Sequence, residues 1–152
     1  MTFLLELSNI IRTFAIYKLS VSPSKSVSYM VVNVFTSNFR KAKALDSSKY
    51  LVVSISRINP KGFNGVWLKE LAPSSKLLSD YKKGLDWSDY VERYRSECCA
   101  PDYIKDFLSS LVFVTKGRDI VLCCYESADK NCHRFIIADY IKSTYGYVVN
   151  EL

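Results

Sequence analysis

The run Leu122-Cys123-Cys124-Tyr125-Glu126, followed shortly by Cys132-His133-Arg134, gathers thiols, a carboxylate, an imidazole and a guanidinium in one short span. The pattern predicts an apolar strand that ends in Cys124 and Glu126. A polar loop, Ser127 to Asn131, then leads into a helix that opens with Cys132, His133 and Arg134. The free N–H groups and dipole of a helix start favour a bound anion. The same field lowers the pKa of a thiol in the first turn, which makes Cys132 a candidate nucleophile or anion contact. Arg134 offers a planar fork suited to phosphate or carboxylate. His133 is the chain's only histidine, so any histidine acid–base step falls to it. Glu126, at the end of a buried strand, suits general acid or base work if partial burial raises its pKa. It could equally pair with Arg134 or Arg57 and hold the site together. The plain alternative for the whole motif is a helix start whose Cys packs inward while His and Arg face water.

Three further residues belong to the expected site. Arg57 follows a second apolar strand and would complete a two-arginine anion clamp, unless it is paired with Glu126 or Glu70. Ser37 and Ser56 follow strands and offer hydroxyl donors. Cys124 is a possible ligand contact. Zinc fits poorly, because Cys123 and Cys124 point to opposite faces of a strand and paired CxxC knuckles are absent. No metal site and no cofactor are expected. A cysteine phosphatase is disfavoured too, since Arg134 lies only two residues after Cys132 and ten after Cys124. Cys98-Cys99 reads as one core and one surface thiol. The 11 tyrosines and 8 phenylalanines could include base-stacking rings, although aromatic core packing is the simpler reading.

These residues need elements to position them. Val31–Phe35 and Tyr50–Ile55 read as strands, the second too evenly apolar for a sheet with one wet face. Ser37 or Asn38 can cap a short helix through Leu45. Ser56 to Val66 is a loop with Pro60, Gly62 and Gly65. Ser74 or Ser75 starts a helix through Tyr81 that Lys83-Gly84 ends, Asp86 caps another to about Ser96, and Pro101 opens a third through Leu111. Asp119–Tyr125 is a strand, Asn131–Ser143 a helix and Tyr145–Val149 a last strand after a break at Gly146. Such alternation predicts an α/β three-layer sandwich with a mainly parallel sheet of about four or five strands. Ligands in such sheets sit beyond the carboxyl ends of the strands, where the candidate residues converge.

With 152 residues, 49% hydrophobic and 24% charged, the chain is long enough for one cored domain. Residues 3–19 have helical apolar spacing and precede a Ser-rich linker, so 1–29 reads as an N-terminal extension and 30–152 as the domain. Met30 could even be the natural start. The net charge of +6 favours phosphate-bearing partners mildly. Five cysteines, two pairs of them adjacent, exclude a secreted disulfide framework and suit a reducing, cytoplasmic setting. No apolar run reaches the ~20 residues of a membrane span, and no targeting signal is evident.

The "LCCYE" and "NCHR" elements resemble the domain of unknown function 488 family. Phe35-Thr36-Ser37-Asn38-Phe39, Ile55-Ser56-Arg57 with Pro60, and Leu68 to Ser74 support the likeness, which spans about residues 31 to 145. Many relatives have Ser after the Cys-His-Arg element, where this chain has Phe135. The resemblance implies a Rossmann-like fold with Arg57, Glu126, Cys132, His133 and Arg134 near one pocket, and it names no reaction. The leading expectation is a small intracellular enzyme acting on a phosphate-containing ligand, foremost a nucleotide, nucleoside derivative or nucleic acid. Glu126, Cys132 and His133 would be catalytic, and Ser37, Ser56, Arg57, Cys124 and Arg134 would bind ligand. The rivals are a non-catalytic nucleotide or nucleic-acid binding module and a thiol-based metal or redox site. A cleft over Glu126 would favour the enzyme, and close approach of Cys124 to Cys132 the thiol site. The oligomeric state is not legible.

Overall fold

The computed structural model describes residues 33–99, 103–104, 106–108 and 115–152. The expected helix at 3–19, its linker and the extension as a whole lie outside the described residues, as does much of the helix expected from Pro101.

Five strands make one sheet, all parallel. They are β1 (Val34–Asn38), β2 (Tyr50–Ser54), β3 (Val66–Trp67), β4 (Asp119–Cys124) and β5 (Val149–Glu151), in the order β3-β2-β4-β1-β5. β4 is central, with Val121 beside Phe35 of β1 and Val52 of β2. Its residues are buried from Ile120 to Cys124, as a parallel strand covered on both faces must be. Alternation along the strands divides the core. Leu51, Val53, Ile120 and Leu122 face a large cluster with Leu77, Tyr94, Ile136, Ile137 and Ile141. Val121 and Cys123 face a smaller one with Phe39 and Ala42. Each fully buried Leu or Ile contributes about 1.5–3 kcal/mol of transfer free energy, so the larger cluster dominates stability.

The helices are α1 (Phe39–Ala42), α2 (Ser75–Lys82), α3 (Trp87–Cys98) and α4 (His133–Tyr145), with a 3-10 turn at Lys69–Leu71. Asn38 caps α1 by accepting from Lys41 N at 3.1 Å, and Ser74 caps α2 by accepting from Leu77 N at 3.1 Å. Gly146 ends α4 at φ 71, a left-handed conformation that glycine adopts without a Cβ penalty. Gly65 is demanded by space: a Cβ there would lie 2.3 Å from the Val52 carbonyl oxygen. That close approach lets the loop return to pair β3 with β2.

Several expected boundaries shift. β1 begins three residues later than expected, and Ser37 and Asn38 belong to it. The last strand follows Gly146 at a distance, because α4 continues to Tyr145. Val66, expected to end the loop, instead opens β3; two residues are too few for a periodic signal. Cys98 and Cys99 are both buried, which corrects the expectation of one core and one surface thiol. Among the described residues no helix is long and apolar enough to cross a membrane.

Candidate functional site

A cleft of about 750 Å³ opens beyond the carboxyl ends of β2 and β4. β2 runs out into Ser56, Arg57 and Ile58 on its wall, and β4 delivers Cys124, Tyr125 and Glu126. The loop after β4 adds Asp129, Lys130 and Asn131, and the start of α4 adds Cys132 and His133. The opposite wall comes from α2 and α3, with Tyr81, Lys82, Trp87 and Tyr90.

Cys124 and Cys132 meet here, their sulfurs 2.7 Å apart and both thiols free. Arg134 Nη1 donates to Cys124 Sγ at 3.0 Å. The hydrogen bond from Cys132 and the Arg134 charge outweigh burial and hold the Cys124 thiol down at about 7. Cys132 is pushed up, because it is the donor to Cys124, is itself buried and lies beside the Cys124 charge. The expectation of a low-pKa thiol at the helix start therefore moves to Cys124. Cys124 accepts from Cys132 and from Arg134, whereas Cys132, the donor of the pair, stays protonated.

His133 is half-buried against Tyr94, ring centroids 5.5 Å apart. Its Nε2 lies 2.8 Å from the Ile55 carbonyl oxygen, which can only accept, so Nε2 carries the proton. Nδ1 then presents a lone pair 3.9 Å from Cys132 Sγ. Burial pushes the imidazole down to about 4, so it is neutral near pH 7.

Arg134 does not reach the cleft surface. It is fully buried, its guanidinium 4.3 Å from the Phe135 ring centroid. Its Nη2 and Nε donate to Glu151 Oε1 and Oε2 at 2.9 and 3.3 Å, and Nη1 donates to the Glu126 carbonyl at 2.6 Å as well as to Cys124. Thr36 Oγ1 also donates to Glu151, fixing the carboxylate from the sheet side. The expected contact between Arg134 and ligand is thus replaced by a buried ion pair, because Glu151 of β5 occupies the fork. Ser37 is likewise away from the cleft: it is buried and donates to the Leu152 carbonyl at 3.3 Å.

The remaining expected residues do line the cleft. Glu126 is exposed there, with no hydrogen-bond or ion-pair partner for its carboxylate among the described residues; the expected partial burial is absent. Arg57 donates to the Pro73 carbonyl at 3.2 Å and forms no ion pair among the described residues. Ser56 Oγ donates to the Ile58 carbonyl at 2.8 Å and meets Ser54 Oγ at 2.9 Å, so its hydroxyl is largely committed.

Sequence reasoning left unassigned Lys82, Lys130 and the aromatic wall. Lys130 lies 3.8 Å from Asp129, whereas Lys82 has no ion-pair partner among the described residues. Trp87 and Tyr90 stack at 4.9 Å and 14°, with Tyr81 tilted against both. The spacing of Tyr81, Trp87 and Tyr90 across the α2–α3 turn carried no signal beyond ordinary packing. Among the described residues no group of three or more His, Cys, Asp or Glu side chains could hold a metal ion.

Residues 34–145 match the family model DUF488-N3a, described as the active DUF488-N3 subclade. The chain belongs to the domain of unknown function 488 family. No curated protein and no solved structure matches it significantly. The family match takes in β1, β2, β4 and the cleft, but Glu151, the carboxylate that anchors Arg134, lies beyond it.

Proposed function

We propose that this member of the domain of unknown function 488 family is a small cytoplasmic enzyme acting on a nucleotide, nucleoside derivative or nucleic acid. Arg57 and Lys82 hold the phosphate, with the positive end of α4 beside them. Tyr81 and Trp87, backed by the buried Tyr90, offer faces on which a base can stack. Glu126 acts as general acid or base, or as nucleophile in glycosidic-bond cleavage. His133, neutral and with a free Nδ1, orients or accepts a proton at Cys132. Arg134 serves as a positioning residue: it fixes the Glu126 main chain and the Cys124 thiolate.

One observation carries the reading. The Glu126 carboxylate has no partner among the described residues, in a cleft that also presents unpaired cations and aromatic rings. The family description, an active subclade, points the same way.

The test is a thermal-shift screen of nucleotides and short nucleic acids, followed by turnover assays on the hits. A ligand at about a hundred times its Kd stabilises by about 2.7 kcal/mol. Glu126→Gln is expected to keep the shift and lose turnover. Normal turnover by that variant ends the proposal. Binding with no turnover by the wild type would make the protein a binding module instead.

A further inference from the structure

We propose that Cys124 and Cys132 form a dithiol centre that a hydroperoxide oxidises reversibly to a disulfide, with Cys124 as the attacking sulfur and Cys132 as the resolving one. This inference stands apart from the enzyme reading and would hold for a binding module as well.

Four observations carry it. The two sulfurs touch at 2.7 Å, so little movement separates the dithiol from a bonded pair. Both residues line the open cleft, though each exposes no more than 3% of its surface, which admits a small oxidant and excludes bulky ones. Among the described residues Arg134 donates to Cys124 Sγ and to no other sulfur, so the two thiols are chemically unequal. The other three thiols are buried away from the cleft, and burial pushes Cys123 and Cys98 up to about 12 and Cys99 to about 11. Only a thiolate attacks, so reactivity concentrates at Cys124, held at about 7.

The chemistry balances in two steps. Cys124 thiolate attacks the distal oxygen of the hydroperoxide. The O–O bond breaks, Cys124 becomes a sulfenic acid, and the leaving alkoxide or hydroxide takes up a proton. Cys132 then attacks the Cys124 sulfur, with its proton lost through His133 Nδ1, 3.9 Å away. The S–S bond forms and water leaves. Two thiols lose two electrons and two protons, and the peroxide becomes alcohol or water plus water. A dithiol reductant reverses the change.

The consequence falls on the cleft. The bond would tie the end of β4 to the start of α4 and close the intervening loop that carries Glu126. It would also remove the anionic sulfur beside Arg134, so the loop would be held by a covalent link rather than by a charged contact. Oxidation therefore changes the setting of the same carboxylate that the enzyme reading uses.

The experiment uses the full chain, reduced and then exposed to a small molar excess of hydrogen peroxide. The expected product is lighter by two hydrogens. Peptide mapping should show a Cys124–Cys132 link, and dithiothreitol should restore all 5 thiols. In Cys132→Ser a sulfenic acid should be trapped at Cys124. In Cys124→Ser peroxide consumption should fall by about tenfold or more, because the remaining thiols lack the guanidinium contact. The proposal is overturned if the thiols survive, if oxidation falls on Cys98, Cys99 or Cys123, or if Cys124 is inert in Cys132→Ser. Mapping of the wild type decides the matter even if a variant misfolds. Thermal shifts of the reduced protein with nucleotides report on the enzyme reading alone, so the two failures are distinguishable.

Discussion

Changing Glu151 to Gln tests whether a buried ion pair, rather than a ligand, is what Arg134 is for. Arg134 is wholly buried and Glu151 is 22% exposed on its side chain. Taking away one partner of a buried pair costs about 3–5 kcal/mol, because the other charge is left stranded. Here Arg134 would keep the Cys124 sulfur and the Glu126 carbonyl, and Gln would still accept a hydrogen bond. The expected loss therefore falls below that range, at about 2–3 kcal/mol. At about 4 °C per kcal/mol for a domain of this size, the melting temperature should fall by about 10 °C. Arg134→Met removes the charge but leaves Glu151 able to rehydrate. The double variant should then be less damaged than the two single losses combined, with a coupling of about 1–2 kcal/mol. Chemical denaturation of the four proteins measures it. The reasoning fails if Glu151→Gln lies within about 0.5 kcal/mol of wild type, or if the two changes add.

Other outcomes follow from the same geometry. His133 is held down at about 4 against an ordinary 6.5, so the unfolded chain binds a proton that the folded one refuses between these values; stability should drop by about 3 kcal/mol as pH falls through that window, and His133→Gln should flatten the slope in denaturation series. Cys124 sits at about 7 against an ordinary 9.0, so its contribution is complete above pH 9 and fades as pH falls through 7; compared with Cys124→Ser, wild type should gain stability from pH 7 to 9. Cys132 and the three buried thiols, all pushed up, act in the opposite sense above pH 9. Trp87→Ala should weaken a bound nucleotide by about 1–3 kcal/mol in calorimetry while leaving a sugar phosphate that lacks a base unaffected; equal losses for both would remove the stacking role.

What could be seen in the sequence was local. Tyr50–Val53 and Ile120–Cys124 are continuous apolar runs, and such runs mark strands covered on both faces, so the parallel sheet was legible. Ser74 and Asn38 announced their helices because a cap acts on residues three positions away. The cleft could be placed at the ends of β2 and β4 for the same topological reason. Pairings across the fold could not be read. Nothing near Arg134 in the chain reveals that Glu151 fills its fork, or that Ser37 turns to Leu152. The helix position favours Cys132 as the reactive thiol, whereas the contacts that decide the matter, from Cys132 itself and from Arg134 reaching back, both end on Cys124. The three rings of the cleft wall were indistinguishable from core aromatics until α2 and α3 were seen to stand over the loop.

β4 lies between two strands that come far earlier in the chain; its first residue, Asp119, accepts from Asn33 N across 86 positions. Parallel pairings this remote are closed late and slowly when a polypeptide collapses. The acidified sulfur of Cys124 can exist only once that central strand is seated and Arg134 has come to rest beside it. Its ultraviolet absorbance or alkylation rate is thus a clock for refolding, silent through early helix formation and rising when the last register locks.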